Sequence, residues 1–190
     1  MTRIAIVGGG PGGYEAALVA AQLGADVTLV ERTGVGGACV ITDCVPSKTL
    51  IATSEAMTSL ALSPRLGVRF GGGSRGGSGG GSDDDTGSVA VDLAQVNARV
   101  RALAKAQSDD IAGRLAAEGV TLINGSATLK ARTGSAHRVE VTTADGSSDG
   151  IEADVVLLAT GAQPRILPTA VPDGERILTW HQVYDLEVLP

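Results

Sequence analysis

Residues 3–14 read RIAIVGGGPGGY, and this stretch decides the fold. Residues 3–7 are a short and largely apolar run, which is typical of a buried parallel strand. Gly8, Gly10 and Gly13 follow with the spacing G-x-G-x-x-G, directly after the strand and at the start of an Ala-rich stretch. This spacing allows a tight turn and lets the backbone approach phosphate groups at a helix N-terminus. The stretch therefore predicts a strand, a phosphate-binding turn and a helix.

The next strand completes a βαβ unit. We predict a helix over residues 13–23, ended by Gly24, and a strand over Asp26–Glu31. The crossover of such a unit is right-handed. A carboxylate at the end of the second strand can accept hydrogen bonds from both ribose hydroxyls, and it would repel a 2′-phosphate. Glu31 therefore predicts a site for the ADP half of FAD or NAD.

The composition excludes several classes of protein. The 190 residues include 27 Gly, and 21 Asp and Glu against 15 Lys and Arg give a net charge of −6, the wrong sign for a nucleic-acid-binding protein. No apolar run approaches the roughly 18 residues that a membrane span needs. The first strand begins close to Met1, so we expect no targeting peptide before it. With only two cysteines, we expect no structural disulfide framework. We expect a cytoplasmic globular protein with no nucleic-acid partner, no membrane span and no metal site.

The rest of the chain alternates between turns and short elements. Residues 71–82 read GGGSRGGSGGGS and precede three Asp residues, so residues 71–88 are predicted to be a flexible surface insertion. Asp92 and Gln95 form a capping box for a long helix that Gly119 ends. Beyond that helix we predict strands over residues 120–123, 127–129, 138–143 and 155–159, with turns at Asn124–Gly125, Thr133–Gly134 and Asp145–Gly146.

Two cysteines stand in the segment GGACVITDCVPSK, residues 36–48. In a regular helix the spacing of Cys39 and Cys44 places their side chains on different faces, so a disulfide between them requires an irregular turn. Pro46 predicts such a break, because it disfavours helix at Val45 and suits the first position of the next helix. Cys44 then lies just ahead of a helix N-terminus, four residues before Lys48, and both influences favour a thiolate. The segment predicts a redox-active dithiol rather than a structural bridge.

These residues resemble the flavoprotein disulfide reductases, or pyridine nucleotide-disulfide oxidoreductases, in particular the group similar to dihydrolipoamide dehydrogenase. The resemblance is carried by residues 8–17, Glu31, residues 36–48, residues 124–127 and residues 159–164. It implies an α/β fold, a Rossmann-like FAD/NAD(P)-binding domain with a parallel sheet, helices and a small antiparallel β-meander. It also implies FAD as cofactor, NAD(P)H as co-substrate, a small-molecule acceptor and a homodimer at full length.

The resemblance further implies roles for the matching residues. The ADP half of FAD would lie on Gly8, Gly10 and Gly13, with Glu31 at its ribose. Cys39 would be the thiol that attacks the substrate, and Cys44 the thiol that receives electrons from the reduced flavin. The residues expected to contact the cofactor are Gly8, Gly10, Pro11, Gly13, Glu31, Arg32, Gly36, Gly37, Ala38, Cys39, Lys48, Ala127, Thr160 and Gly161.

The segment between the cysteines departs from the pattern of the family. Residues 40–43 are Val-Ile-Thr-Asp instead of Leu-Asn-Val-Gly, so Asp43 places an acid beside Cys44 and opposes a thiolate there. Together with residues 177–186, this departure resembles a subgroup of NAD(P)H:quinone reductases. Three functions stay open: electron transfer through the dithiol to a disulfide substrate, direct reduction of a quinone by the flavin, and an inactive FAD-binding fragment. The paired cysteines disfavour an NAD-binding domain without flavin.

Members of the family are more than twice as long as this chain, which contains no second G-x-G-x-x-G. We therefore expect residues 1–190 to be the N-terminal part of an FAD domain, without the NAD(P)H-binding and dimerisation domains. Trp180 and Tyr184, four residues apart, are expected to pack on one helix face rather than to bind a ligand. His137 and His181 are expected to face solvent or to be hydrogen-bonded locally.

Overall fold

Four parallel strands form the centre of the sheet: β1 (Arg3–Val7), β2 (Asp26–Glu31), β3 (Thr121–Leu129) and β6 (Val155–Leu158). Two antiparallel strands, β4 (His137–Thr143) and β5 (Ser148–Ala153), extend it to the order β5-β4-β3-β2-β1-β6. The structure is a computed structural model that describes residues 1–68, 90–132 and 134–189. This topology confirms the predicted α/β fold with a parallel sheet and an antiparallel meander.

Among the described residues, four α-helices accompany the sheet: α1 (Pro11–Gln22), α2 (Gly37–Ile41), α3 (Cys44–Leu62) and α4 (Leu93–Ala117). Helix α1 begins two residues before the predicted start, because Gly10 is its N-cap and Pro11 suits the first helical position. Helix α4 begins as predicted, since the Asp92 carboxylate accepts a hydrogen bond from the Gln95 N–H at 2.9 Å. Within the described ranges, no helix combines the length and the apolar character needed to cross a membrane.

The sheet buries both of its faces, because successive side chains of a strand point in opposite directions. Leu29 of β2 packs on one face with Ala17 of α1 and Leu115 of α4. Its neighbour Val30 points to the other face and packs in a second cluster with Val139 of β4. The meander therefore folds back over the face of the parallel strands that the helices leave open.

The predicted turn at Asn124–Gly125 is wrong, because β3 is a single strand that changes partner there. Asn124 is the last residue paired in parallel with β2, and Gly125 is the first paired antiparallel with β4. A Cβ on Gly125 would lie 2.7 Å from the carbonyl oxygen of Thr142, so only glycine allows the two backbones to approach this closely. The Asn-Gly pair, which usually indicates a turn, here indicates a close contact between two strands.

Other predicted boundaries have mixed outcomes. The turn at Asp145–Gly146 is confirmed, since the Gly146 N–H donates to the Thr143 carbonyl at 3.0 Å. Strand β5 was not predicted, because residues 148–150 are Ser-Asp-Gly and the strand has no apolar alternation. The predicted insertion over residues 71–88 lies outside the described residues, and so does Thr133 of the predicted turn at Thr133–Gly134.

We predict that Leu115→Ala lowers the free energy of unfolding by about 2–5 kcal/mol, because it leaves a cavity between α4 and the sheet. Leu115 is fully buried, whereas Leu103 on the same helix is 42% exposed. The matched variant Leu103→Ala should therefore change the free energy of unfolding far less. Equilibrium unfolding in urea measures both, and equal losses in the two variants would contradict this packing.

Candidate functional site

A cavity of about 760 Å³ opens at the carboxyl ends of β1, β2 and β6. Its walls are the turn after β1, the end of β2, the start of α2 and the segment after β6, residues 159–163. Residues 125–127 of β3 and Trp180–His181 complete the lining. Open α/β sheets bind ligands at this edge, because the turns and helix N-termini converge there. The cavity therefore lies where the glycine pattern predicted a dinucleotide.

Three of the predicted glycines are required by the packing of the protein itself. A Cβ on Gly8 would lie 2.3 Å from the Ala159 carbonyl oxygen, and one on Gly13 would lie 1.8 Å from the Gly8 carbonyl oxygen. A Cβ on Gly37 would lie 2.8 Å from the Cα of Gly10. These contacts hold α1 and α2 against the end of β1, and no larger residue fits there.

Gly10 also lines the cavity but, unlike these glycines, is not crowded by the protein. The nearest atom to a Cβ built on Gly10 is the Cα of Gly37, at 3.9 Å. Gly10 is also the N-cap of α1, and neither a side-chain cap nor an acidic residue occupies the first turn of that helix. The space beside Gly10 and the helix N-terminus therefore suit an anionic group such as a pyrophosphate.

The Glu31 carboxylate joins the end of β2 to the glycine turn. Its Oε2 accepts a hydrogen bond from the Gly9 N–H at 2.6 Å, and its Oε1 accepts from the N–H groups of Arg32 and Thr33, both at 2.8 Å. Partial burial by itself raises the pKa of Glu31, but the hydrogen bonds from Thr33, Gly9 and Arg32 together outweigh it and lower the pKa below the usual range. The group is therefore held as a carboxylate at the cavity wall.

Most of the residues predicted for cofactor contact come together in this cavity. Those that line it are Gly8, Gly10, Pro11, Glu31, Arg32, Gly37, Ala38, Cys39, Ala127, Thr160 and Gly161. Gly13 and Gly36 are buried beneath the lining, where the Gly36 N–H donates to the Gly9 carbonyl at 2.7 Å. Cys44 and Lys48 lie on α3 outside the lining.

The two cysteines lie on either side of a break between helices, as expected, but the break is at Thr42 and Asp43. The predicted start of the second helix at Pro46 is wrong, because α3 begins at Cys44 and includes Val45. Cys39 is on α2, α3 begins at Cys44, and both are free and partly buried. The N–H groups of Thr42 and Asp43 both donate to the Ala38 carbonyl, at 3.1 and 2.7 Å, which ends α2 before the second cysteine. Burial raises the pKa of the Cys39 thiol, and neighbouring Cys44 and Asp43 raise it further, whereas Lys48 lowers it.

The expectation for Trp180 and Tyr184 is wrong, because the helix there is a single 3-10 turn that begins after Trp180, at Gln182. Trp180 lines the cavity together with His181, and the two ring centroids are 4.4 Å apart. Asn97 of α4 holds the following segment through donation to the carbonyl groups of Val183 and Leu186. No local sequence pattern predicts these contacts, because α4 and residues 180–186 are far apart in the sequence.

Thr33 and Ser126 also line the cavity and were not predicted. Thr33 stands two residues after Glu31, whose Oε1 it contacts through its hydroxyl at 3.0 Å, and that proximity is the signal that could have found it. His137, in contrast with His181, begins β4 away from the lining. In the part of the chain that the structure covers, no three His, Cys, Asp or Glu side chains converge in a group that could hold a metal ion.

We predict that Glu31→Gln lowers the free energy of unfolding by about 1 kcal/mol at pH 7, because the charged acceptor of three N–H groups is lost. The pKa of Glu31 is lower in the folded state than the ordinary value of 4.5. The carboxylate therefore stabilises the fold fully above pH 4.5, and this stabilisation is lost as the pH falls through the lower pKa of the folded state. The difference in free energy of unfolding between the variant and the natural protein should therefore become smaller below pH 4.5.

Urea unfolding at neutral and at acid pH measures this dependence. Glu15→Gln is the matched control, because Glu15 lies exposed on α1 outside the cavity lining. A constant difference between Glu31→Gln and the natural protein across the pH range would contradict the assignment of the stabilisation to the carboxylate.

Comparison with known proteins places this site in a family. Residues 2–187 match the sequence model of the family described as pyridine nucleotide-disulphide oxidoreductase. A protein of Mycobacterium tuberculosis (strain CDC 1551 / Oshkosh), named NAD(P)H dehydrogenase (quinone), is 49% identical over 195 residues that cover 100% of this chain and 37% of that protein. A dihydrolipoyl dehydrogenase of Chlorobaculum parvum is 36% identical, over 98% of this chain and 36% of that protein.

The crystal structure of LpdA from Mycobacterium tuberculosis superposes with a TM-score of 0.83 at 49% identity, over 100% of this chain and 38% of that one. The chain thus spans about 37% of the length of the curated relatives it matches. The family model covers nearly all of the chain and includes the glycine turn, Glu31 and both cysteines. The chain belongs to the pyridine nucleotide-disulphide oxidoreductase family.

Proposed function

We propose that this chain is the FAD-binding, dithiol-bearing part of an NAD(P)H-dependent flavoprotein oxidoreductase, and that residues 1–190 form the N-terminal part of an FAD domain. The observation that carries the proposal is a single cavity that joins a dinucleotide cradle to a cysteine of the dithiol. Gly8, Gly10 and Glu31 line one part of this cavity, and Cys39 belongs to the same lining.

The residues present fit FAD. Gly10 and the open N-terminus of α1 would hold the pyrophosphate, and the Glu31 carboxylate would accept hydrogen bonds from the ribose. Ala127 and Thr160 lie on the same walls, where Ala127 would contact the cofactor through its backbone and the turn at Thr160 would pack on it. When bound, FAD supplies the hydride-accepting, two-electron chemistry that connects NAD(P)H to an acceptor.

The dithiol gives this chain its own route to a disulfide substrate. The Cys39 thiolate would attack one sulfur of the substrate, form a mixed disulfide and release the first thiol. Cys44 would then attack the Cys39 Sγ, close the Cys39–Cys44 disulfide and release the second thiol. Two electrons pass from the dithiol to the substrate, and the two thiol protons leave on the released thiols. The proximity of Cys44 to Cys39, which contributes to the raised pKa of Cys39, supports the second step.

Quinone reduction is the second candidate, and the 49% identical relative named NAD(P)H dehydrogenase (quinone) favours it. In this function a quinone would take electrons directly from the flavin, so the dithiol would not be needed. Asp43 fits such a role, because a carboxylate beside the dithiol disfavours the thiolate that disulfide exchange requires. The homodimer, the choice between NADH and NADPH, and the function of residues 71–88 stay predictions.

We predict that Cys44→Ser in the full-length protein reduces NAD(P)H-dependent turnover of lipoamide to background but leaves turnover of a quinone unchanged. The physical reason is that the variant can still form the mixed disulfide at Cys39 but cannot resolve it. Steady-state rates with both acceptors measure the difference, and the flavin absorption spectrum checks that each variant retains its cofactor.

Cys39→Ser is the matched variant, since it should show the same separation of the two activities. Retained lipoamide turnover in both variants would exclude the dithiol route. Equal loss of both activities would show that quinone reduction also depends on the cysteines. Absence of flavin and of NAD(P)H oxidation in the full-length natural protein would overturn the whole proposal in favour of an inactive fragment.

We predict that Lys48→Met slows the alkylation of Cys39 by iodoacetamide at neutral pH about two- to threefold, and that Asp43→Asn accelerates it by a similar factor. Lys48 lowers the pKa of Cys39 and Asp43 raises it, so their removal shifts the thiolate fraction in opposite directions. Mass spectrometry of the Cys39 peptide measures the rates, with Lys130→Met on the distant meander as the control. Identical rates in the Lys48 and Asp43 variants would contradict these charge effects.

A further inference from the structure

Trp180 and His181 form an aromatic wall of the cavity. Their ring centroids are 4.4 Å apart with an interplanar angle of 48°, which is an attractive tilted arrangement. Both belong to the lining that also contains Gly8 and Cys39. Trp180 is the one tryptophan among only four aromatic residues in the chain. The indole ring offers a large apolar surface on which a flat ligand ring can pack.

Helix α4 fixes the segment that carries this wall. Asn97 is only 1% exposed, and its Nδ2 donates to the carbonyl groups of Val183 and Leu186 at 3.3 and 2.8 Å. Arg101 donates to the carbonyl of Tyr184. The backbone that follows the aromatic wall is therefore held by bonds that involve no ligand, so ligand binding does not have to order this segment.

The hydrogen bonds of Gln182 fix the beginning of the same segment. Its Oε1 accepts from the N–H of Thr179 at 2.8 Å and from the Thr179 hydroxyl at 3.0 Å. The Trp180 Nε1, by contrast, is buried and has no hydrogen-bond partner among the described residues. The backbone of the segment is thus held on both sides of Trp180, whereas the indole itself has no hydrogen bond that sets its orientation.

The wall stands at the dithiol end of the cavity. Helix α4, which holds residues 183–186, also packs against α2 and α3, the helices that carry Cys39 and Cys44. Burial raises the pKa of Tyr184 and the charge of nearby Asp43 raises it further, which agrees with this placement. Thr42, which precedes Asp43, lines the cavity together with Trp180. A ring bound against the wall would therefore share the cavity with Cys39, next to the helices that carry the two cysteines.

We propose that Trp180, supported by His181, is a cofactor-binding residue that packs against the planar redox ring of the bound flavin. This inference rests on the proposed function, because it requires a flavin in the cavity. It adds a cofactor contact that neither the glycine pattern nor the dithiol segment predicts. Asn97 and Arg101 act through Trp180 as positioning residues.

The test compares Trp180→Leu, Trp180→Phe and Tyr184→Leu in the full-length protein, after removal and re-addition of FAD. Trp180→Leu removes the ring and should raise the Kd for FAD about 5- to 30-fold, whereas Trp180→Phe keeps a ring and should lose less. Tyr184→Leu is the matched control, because Tyr184 lies outside the cavity lining. The visible absorption band of the bound flavin should shift in Trp180→Leu and stay in place in Tyr184→Leu.

The increase in Tm on addition of FAD separates binding from folding, since it compares each variant with its own FAD-free form. An unchanged Kd and flavin spectrum in Trp180→Leu would overturn the inference, and so would an equal effect of Tyr184→Leu. If the natural protein binds FAD and the Trp180 variants behave like it, only this inference fails. If the natural protein binds no FAD, the proposed function fails with it.

Discussion

The approach of Gly13 to the carbonyl oxygen of Gly8 is the constraint on which the site depends. A Cβ on Gly13 would lie 1.8 Å from that oxygen, so α1 can start this close to the end of β1 only if residue 13 is glycine. The Glu31 carboxylate connects β2 to the same turn by accepting the Gly9 N–H at 2.6 Å. Two strands and one helix N-terminus therefore meet at one edge of the sheet, and their backbone groups and the Glu31 carboxylate line the cavity that we propose binds the nucleotide.

The dithiol depends on a second close backbone contact at the same edge. Gly37 lies against Gly10, where a Cβ would come within 2.8 Å of the Gly10 Cα, and this contact seats the five-residue helix α2 beside the glycine turn. The break at Thr42 and Asp43 then ends α2 and starts α3 at Cys44. A continuous helix would have separated the cysteines, whereas the break allows the two thiols to influence each other.

The third part of the site comes from a segment far along the chain. Residues 180–186 have little regular structure of their own, and α4 holds them through Asn97 and Arg101. Helix α4 is itself fixed by Leu115, which is fully buried in the cluster that contains Leu29. The position of Trp180 at the cavity thus depends on the same core that positions the glycine turn.

The sequence by itself determined the features that depend on neighbouring residues: the βαβ unit, the Asp92 cap, a break between the two cysteines and the grouping of Glu31 with the glycine turn. Each follows from spacing, backbone conformation or helix-end chemistry over a few residues. Only the tertiary structure decided the change of partner in β3 at Gly125, the pairing of β5 and the place of Trp180 and His181 in the cavity. These depend on contacts between distant segments, and such contacts leave no local pattern, because the partner sets the conformation.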